Sequence, residues 1–244
     1  MRSDQSTLTV HQWSLLSNLS HCFDEYSGVF LGECYLREQN TLPGKLRFKS
    51  TSLIQYLQTL LDGTQLIYKN NRDFLSLSSD DRSTLLHTTI QYTGSLLVNI
   101  IHKQTGMINY PAFYSTVELI THPSVLDATK RIIDRIDFDM NIMKLLLAIL
   151  SFSTMTPTAD PNTHPVNLSN IKKILYIQNS YIEVAWKYLL YKYNYHRAVQ
   201  CFCDLIRCLF ALHDAVVKAQ DLQWYTDKMD SIAEHTEQTL NLNG

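Results

Sequence analysis

The sequence predicts an all-α fold of roughly nine to twelve helices, because apolar residues recur at helical spacing along nearly the whole chain. The 244 residues include only 7 glycines, too few for a many-turned all-β fold or for glycine-rich phosphate loops. One segment, 107–111, lacks helical spacing; it follows Gly106 and ends at Pro111. Because Gly and Pro bound turns and hairpins, we expect a short β turn there.

Composition and charge exclude several classes of protein. The formal net charge is −2, which gives no electrostatic basis for direct nucleic-acid contact. The five cysteines contain no CxxC pair, so we expect neither a metal site nor a disulfide framework, in line with a reducing compartment. No segment reaches the roughly 18 consecutive apolar residues of a membrane span, and no apolar run follows the N-terminus as in a signal peptide.

The first half of the chain predicts three main helices. The first covers 8–23, and the second carries an apolar stripe from Leu53 to Tyr68. The third follows the capping and acidic residues at 78–81, and its residues 85–101 are apolar nearly all round. A helix with that pattern is buried on most sides, so we expect it at the centre of a multilayer fold.

The second half predicts further helices around one polar loop. Helical spacing resumes at 126–136, and an apolar block covers 142–152. The segment 154–169 contains three prolines and is predicted to be a surface loop. Residues 225–244 are poorly patterned. Neither half has enough helix faces to cover the buried helix alone, so we expect 1–244 to form a single domain.

Two long amphipathic helices follow the predicted loop. Their expected core stripes are Ile174, Ile177, Tyr181, Val184 and Tyr188 in the first, and Val199, Phe202, Ile206, Leu209, His213 and Val216 in the second. Three cysteines, at 201, 203 and 208, lie in the second helix. Positions 201 and 203 point about 200° apart on a helix, so they cannot share a metal ion, and packing thiols are expected.

The most informative stretch is 67–87, at the entry to the buried helix. Its spaced residues are Lys69, Phe74, Leu77, Asp81, Leu85 and Leu86. This spacing resembles the signature of nuclear receptor ligand-binding domains, in which a Lys ends the third helix and the other positions follow without a gap. Flanking segments agree with that family in order. The resemblance covers nearly the whole chain and implies a three-layer antiparallel helical sandwich with one β turn.

The resemblance also implies a groove for a short amphipathic coactivator or corepressor helix. There Lys69 bonds the free carbonyls at the partner's C-terminus, His87 occupies the second basic position, and Glu234 caps the partner's N-terminal N–H groups. Glu234 is flanked by Ala233 and His235 where the family has apolar residues, so we expect weak constitutive binding. The alternative for Lys69 is a solvated residue at a helix C-terminus.

A ligand pocket is implied between the helices at 53–69, 85–102 and 199–220. The position at which the family often places an Arg for carboxylate ligands holds Ile101. The ligand is therefore expected to be small, hydrophobic and neutral, or else side chains fill the pocket. His102 and His213 either donate a hydrogen bond to a ligand or are structural histidines. The candidate pocket residues are Leu60, Thr64, Leu97, Ile101, His102 and His213.

The family pairs through the helix that corresponds to 197–219 here, which implies a homodimer or a heterodimer with another receptor. Gln200, Asp204 and Arg207 lie off the expected core stripe and are the candidate dimer surface. For Arg207 alone, a buried structural ion pair is the alternative.

The leading interpretation is a nuclear receptor-type ligand-binding domain that regulates transcription and is located in the nucleus or shuttles to it. It is expected to be no enzyme, because no catalytic constellation is visible, and to need no cofactor and no membrane. The zinc module that binds DNA in that family is missing from this chain. The alternative is a ligand-independent interaction scaffold of the same fold. A cavity on the order of several hundred Å3 would favour the receptor, and aromatic side chains filling it the scaffold.

Overall fold

The computed structural model describes residues 8–24, 28–135, 139–153 and 168–242. All regular structure in these ranges is helical, as predicted. The α-helices are α1 (Val10–Asp24), α2 (Gly28–Thr41), α3 (Ser50–Asp62), α4 (Gln65–Lys69), α5 (Arg72–Leu75), α6 (Ser79–Gln104), α7 (Pro111–Ile120), α8 (Pro123–Arg135), α9 (Met140–Ser151), α10 (Ile171–Lys192), α11 (Tyr195–Ala219) and α12 (Gln223–Leu242). Short 3-10 helices cover Gly44–Leu46 and Met107–Asn109.

Helix α6 lies at the centre of the described fold, which confirms the prediction of a buried helix. Its N-cap is Ser78, whose side chain accepts a hydrogen bond from the backbone N–H of Asp81. Helices α2, α3, α8, α9, α11 and α12 pack against it. The buried apolar side chains of these helices form one contiguous cluster.

The predicted single helix at 53–69 is interrupted at Gly63 and Thr64, which separate α3 from α4. The N–H groups of these two residues bond to the carbonyls of Leu60 and Leu61, three residues back, so the chain tightens by one 3-10-type turn. The apolar stripe nevertheless continues across the break, because Leu60, Thr64 and Tyr68 are all fully buried.

The β turn expected at 107–111 is wrong, and the described residues contain no strand. Gly106 has a φ of 69° and ends α6 in the left-handed conformation, which glycine adopts without strain. Met107–Asn109 then forms a 3-10 turn, and Pro111 occupies the first turn of α7. Gly after one helix and Pro at the start of the next give the same local signal as a hairpin boundary.

The poorly patterned segment 225–244 is in fact helical as far as Leu242, the end of α12. Its buried residues follow one another at helical spacing: Tyr225, Met229, Ile232, Ala233, Thr236 and Leu240. Two of them are small or polar, which hides the stripe in the sequence. Helix α12 runs antiparallel to α6, because its early Tyr225 contacts Ser95 whereas its late Glu237 contacts His87.

The two long helices differ in how well the sequence predicts their buried faces. The expected stripe of α10 is confirmed, since all five of its residues are buried. In α11 the expected stripe is confirmed only in part: Val216 is buried and Phe202 and Leu209 pack against the core, but Ile206 is 40% exposed, whereas its neighbour Leu205 is buried. The face that packs on the core is built largely from small side chains: Ala198, Cys201, Leu205, Cys208, Leu212, Ala215 and Ala219. Small residues allow the close packing of α11 on α8.

Two remaining predictions concern the loop and the membrane. Most of the predicted loop, 154–167, lies outside the described residues. Ser169 and Asn170, which follow it, are described and precede α10. Within the described part of the chain, no helix combines the length and hydropathy required to cross a bilayer.

Candidate functional site

The residues of the family-like signature are placed in the core. Phe74, Leu77, Leu85 and Leu86 are buried. The ring of Phe74 packs edge-on against Tyr68 and Phe152, with centroids 5.0 and 6.1 Å away. These positions therefore fix the junction of α4, α5 and α6 rather than contact a ligand.

Asp81, the charged member of the signature, links α6 to the start of α10. Its carboxylate accepts the backbone N–H and the hydroxyl of Ser169 and the N–H of Asn170. Burial alone would raise the pKa of Asp81, but the hydrogen bonds, chiefly from Ser169, outweigh it and hold that pKa below its ordinary value.

The three residues predicted for a coregulator groove do not meet as expected. Lys69 donates to Gln65 Oε1 at 2.6 Å in its own helix, and partial burial lowers the pKa of Lys69. His87 Nε2 lies 3.2 Å from Glu237 Oε2. Glu234 is exposed and forms no ion pair within the described ranges. The acid that α12 presents to α6 is thus Glu237, almost one helical turn beyond the predicted position.

Helix α12 packs on α4 and α6, the helices that carry the predicted groove residues Lys69 and His87. The surface under α12, here named the α12 seat, consists of α3, α4 and α6 around Asp62, Thr64, His87 and Gly94. Lys228 Nζ bonds Asp62 Oδ1 at 2.7 Å. A Cβ added to Gly94 would lie 2.8 Å from the terminal methyl of Met229 and 3.1 Å from Thr64 Oγ1. The absence of a side chain at Gly94 therefore permits the close approach of α12.

Beside the seat lies a pocket of about 110 Å3 between α3, α6, α7, α8, α11 and α12. Its walls are mainly aliphatic and aromatic, and they include Phe113 and Val117 from α7 and Trp224 and Tyr225 from α12. Trp224 is held by a hydrogen bond of 3.2 Å from Nε1 to the carbonyl of Ile120. None of the described lining residues carries an Asp, Glu, Lys or Arg side chain.

Asn99 and His102 contribute polar side chains to the lining from one face of α6. Asn99 Nδ2 donates to the carbonyl of Ser95 at 2.8 Å. Asn99 Oδ1 and His102 Nε2 are buried and lack a hydrogen-bond partner among the described residues. Burial lowers the pKa of His102 to about 3, so its ring is neutral near pH 7. The ring contacts Tyr56 and Phe113 at centroid distances of 5.9 and 5.0 Å.

Of the six predicted pocket residues, His102 alone lines this pocket. Leu60, Thr64, Leu97 and Ile101 are buried in the packing of α3, α4 and α6 instead. His213 Nδ1 is hydrogen-bonded to Tyr92 Oη at 3.1 Å, and the two rings stack. The sequence interpretation missed Asn99, Phe113 and Trp224. The sequence does contain a signal for two of these three residues. The Pro at the start of α7 indicates the helix that carries Phe113, and the helical spacing at 225–240 indicates the helix that carries Trp224.

The candidate dimer residues lie on the outer side of α11. Arg207 pairs with Asp204 at 3.0 Å, and its side chain is 66% exposed. The alternative of a buried ion pair for Arg207 is therefore wrong. Gln200 is exposed and bonds His196. Phe210, three residues after Arg207, is 72% exposed, so the outer side of α11 is apolar as well as charged.

Two of the three cysteines of α11 are packing residues, as expected, and the third is not. Cys201 and Cys208 are buried, whereas Cys203 is exposed. Burial raises the pKa of Cys208 to about 11, so it stays a thiol at neutral pH. No group of three or more potential metal ligands occurs in the described ranges.

Comparison of the sequence with protein-family models and with curated protein sequences found no match.

Proposed function

We propose that the chain is a ligand-responsive, non-enzymatic binding domain of nuclear receptor type, which regulates transcription in the nucleus by exchanging α12 for a coregulator helix. The position of α12 is the observation that carries this proposal. Trp224 and Tyr225 in its first turn line the pocket, while Met229 and Glu237 contact the α12 seat. A ligand that alters the first turn therefore alters the occupancy of the seat.

The finer fold assignment, a three-layer sandwich of that family, belongs to the same proposal. It is supported by the helices packed around α6 and by the burial of Phe74, Leu77 and Asp81 at the family-like spacing. In this scheme a coregulator helix binds the seat after α12 leaves it, with Lys69 and His87 as the two basic positions. Dimer formation through α11 is a separate part of the proposal.

Fluorescence anisotropy with labelled helical peptides tests the exchange. The peptides are an LxxLL helix and a longer corepressor-type helix, titrated against wild type, Glu237→Ala and Lys69→Ala. Removing the Glu237 contact to His87 weakens the binding of α12 to the seat. We therefore expect peptide affinity to rise about two- to fivefold, which corresponds to the free energy of a partly exposed ion pair. Lys69→Ala is expected to lower the affinity because the peptide's C-terminal carbonyls lose a donor.

Glu234→Ala is the matched control, because Glu234 lies on the same helix and is exposed. It is expected to bind both peptides as the wild type does. Tight LxxLL binding by wild type that Glu234→Ala abolishes would contradict this arrangement of α12. Identical binding by all four proteins, or none by any, would remove the seat from the function.

A ligand-independent scaffold of the same fold is the second candidate. Its supporting observation is the small pocket, at about 110 Å3, together with the apolar outer side of α11, where Ile206 and Phe210 are exposed. Such a protein would associate through α11 and bind peptides equally with and without a pocket ligand. Peptide titrations in the presence of the probes described below distinguish the two candidates.

A further inference from the structure

The pocket beside α12 combines apolar walls with two unpaired polar atoms, and this combination indicates the chemical class of its ligand. Buried polar atoms without partners are rare, and each costs about 1–3 kcal/mol. Here two of them, Asn99 Oδ1 and His102 Nε2, occur in the same small pocket. Asn99 and His102 are 6% and 5% exposed, so bulk water does not hydrate them freely.

The two atoms come from positions three residues apart on α6, which face the same side of the helix. Ser95, one turn earlier, also lines the pocket, but its hydroxyl is bonded to Tyr225 Oη at 2.8 Å. The amide nitrogen of Asn99 is likewise occupied by the carbonyl of Ser95. This side of α6 therefore offers one free acceptor, Asn99 Oδ1, and one free ring nitrogen, His102 Nε2.

Charge and size restrict the ligand further. The described lining residues carry no ionic side chain, and a charged ligand would lie unpaired among apolar walls, which is costly. The volume is about 110 Å3, smaller than an apolar cavity of about 150 Å3 that binds benzene, so a single ring is the upper limit for the ligand. Phe113, Tyr114 and Trp224 provide flat aromatic walls, which favour a ring over a branched chain.

We propose that this pocket binds a compact neutral phenol, whose hydroxyl donates to Asn99 Oδ1 and accepts from His102 Nε2 while its ring packs against Phe113 and Trp224. A hydroxyl is both donor and acceptor, so one group satisfies both atoms when His102 carries its proton on Nε2. This inference rests on the ligand-binding part of the proposed function and adds the chemical class of the ligand.

Isothermal titration calorimetry with millimolar phenol, toluene and benzoate tests it on the full chain. Phenol and toluene have nearly the same shape and differ in the hydroxyl. We expect wild type to bind phenol about tenfold more tightly than toluene, since toluene leaves two buried atoms unpaired, and not to bind benzoate. Asn99→Leu and His102→Leu are each expected to reduce the preference for phenol to within about twofold.

Asn179→Leu is the matched control, because Asn179 is exposed on α10; it is expected to keep the wild-type preference. The comparison of phenol with toluene on wild type needs no variant to fold, so it decides the matter alone. Equal binding of the two probes, binding of benzoate, or no binding of phenol because water fills the pocket would each overturn the proposal. The first peptide titrations, of wild type and the three variants, contain no probe, so failure of the exchange and failure of phenol binding are separate results.

Discussion

The carboxylate of Asp81 accepts two hydrogen bonds from Ser169, one from its backbone N–H at 2.6 Å and one from its hydroxyl at 2.8 Å. A third bond comes from the N–H of Asn170. The first turn of α6 is thereby attached to the entry of α10, although 88 positions separate Asp81 from Ser169 in the sequence. The spacing of the sequence marks Asp81 as a signature residue, and in the structure its carboxylate holds the segment that precedes α10.

Replacing Asp81 by Asn should destabilise the protein. The amide NH2 of Asn would face the N–H and hydroxyl donors of Ser169 and Asn170, and the charge that strengthens these bonds would be lost. We therefore expect a decrease of about 2–3 kcal/mol in the free energy of unfolding. Urea denaturation measures it. Asp80→Asn is the matched control, because Asp80 is an exposed residue of the same turn; its loss should stay below about 1 kcal/mol. Equal losses would show that charge at the helix end, rather than the link to Ser169, matters.

Acid should destabilise the fold through His102. Burial lowers its pKa from 6.5 to about 3, so between these values the unfolded chain binds a proton that the folded chain does not. Stability is therefore complete above pH 6.5 and falls on acidification below it, by about 1.4 kcal/mol per pH unit from this group. Urea denaturation at pH 7, 6 and 5 measures the slope, and His102→Leu should flatten it. Parallel profiles of the two proteins would contradict a buried neutral His102.

A side chain at Gly94 should displace α12. In Gly94→Leu the new atoms overlap Met229 and Thr64, so we expect a loss of about 2–3 kcal/mol and earlier proteolysis of α12. The control is Gly44→Leu, since a Cβ at Gly44 meets nothing within 4 Å. Limited proteolysis followed by mass spectrometry locates the cleavages. Cleavage of α12 at the same rate in Gly94→Leu and wild type would show that the helix has another way to accommodate the side chain.

The outer side of α11 should carry a dimer interface. Wild type is expected to sediment as a dimer, and Phe210→Glu as a monomer, because a charge replaces an apolar group that the partner covers. Leu119→Glu on α7 is the matched control, since Leu119 is 78% exposed, and it should remain dimeric. Gln200→Glu should weaken the dimer less. A wild type that stays monomeric at high concentration in analytical ultracentrifugation would exclude this interface.

Sequence reasoning predicted the helices whose buried faces are long and purely apolar. Helix α10 is an example, because the spacing of Ile174, Ile177 and Val184 predicts its buried face directly. Helix α11 was predicted less well. It has two apolar sides, and the one with the smaller side chains, which include Ala198 and Cys208, is buried. Side-chain volume decides which side of α11 packs on α8, and a pattern of hydrophobic residues alone does not predict that side.

The candidate site was predicted less completely, since two of its six walls come from segments whose structure was predicted wrongly. Phe113 lies in α7, which follows the mistaken β turn, and Trp224 lies in α12, whose buried stripe includes Ala233 and Thr236. The position of the acid facing His87 depends on how α12 crosses α6. The close approach of the two helices depends on the absence of a side chain at Gly94, where α12 contacts α6. This contact joins distant parts of the chain, so the local spacing of residues does not predict it.

Helix α12 is joined to α11 by three residues, 220–222. A helix on so short a tether meets its binding surface at an effective concentration in the millimolar range. In the exchange proposed above, a free partner helix competes with that local concentration. A substitution that weakens the binding of α12 would then lower the partner concentration required, so in that proposal the sequence of α12 sets the threshold at which a partner binds the seat.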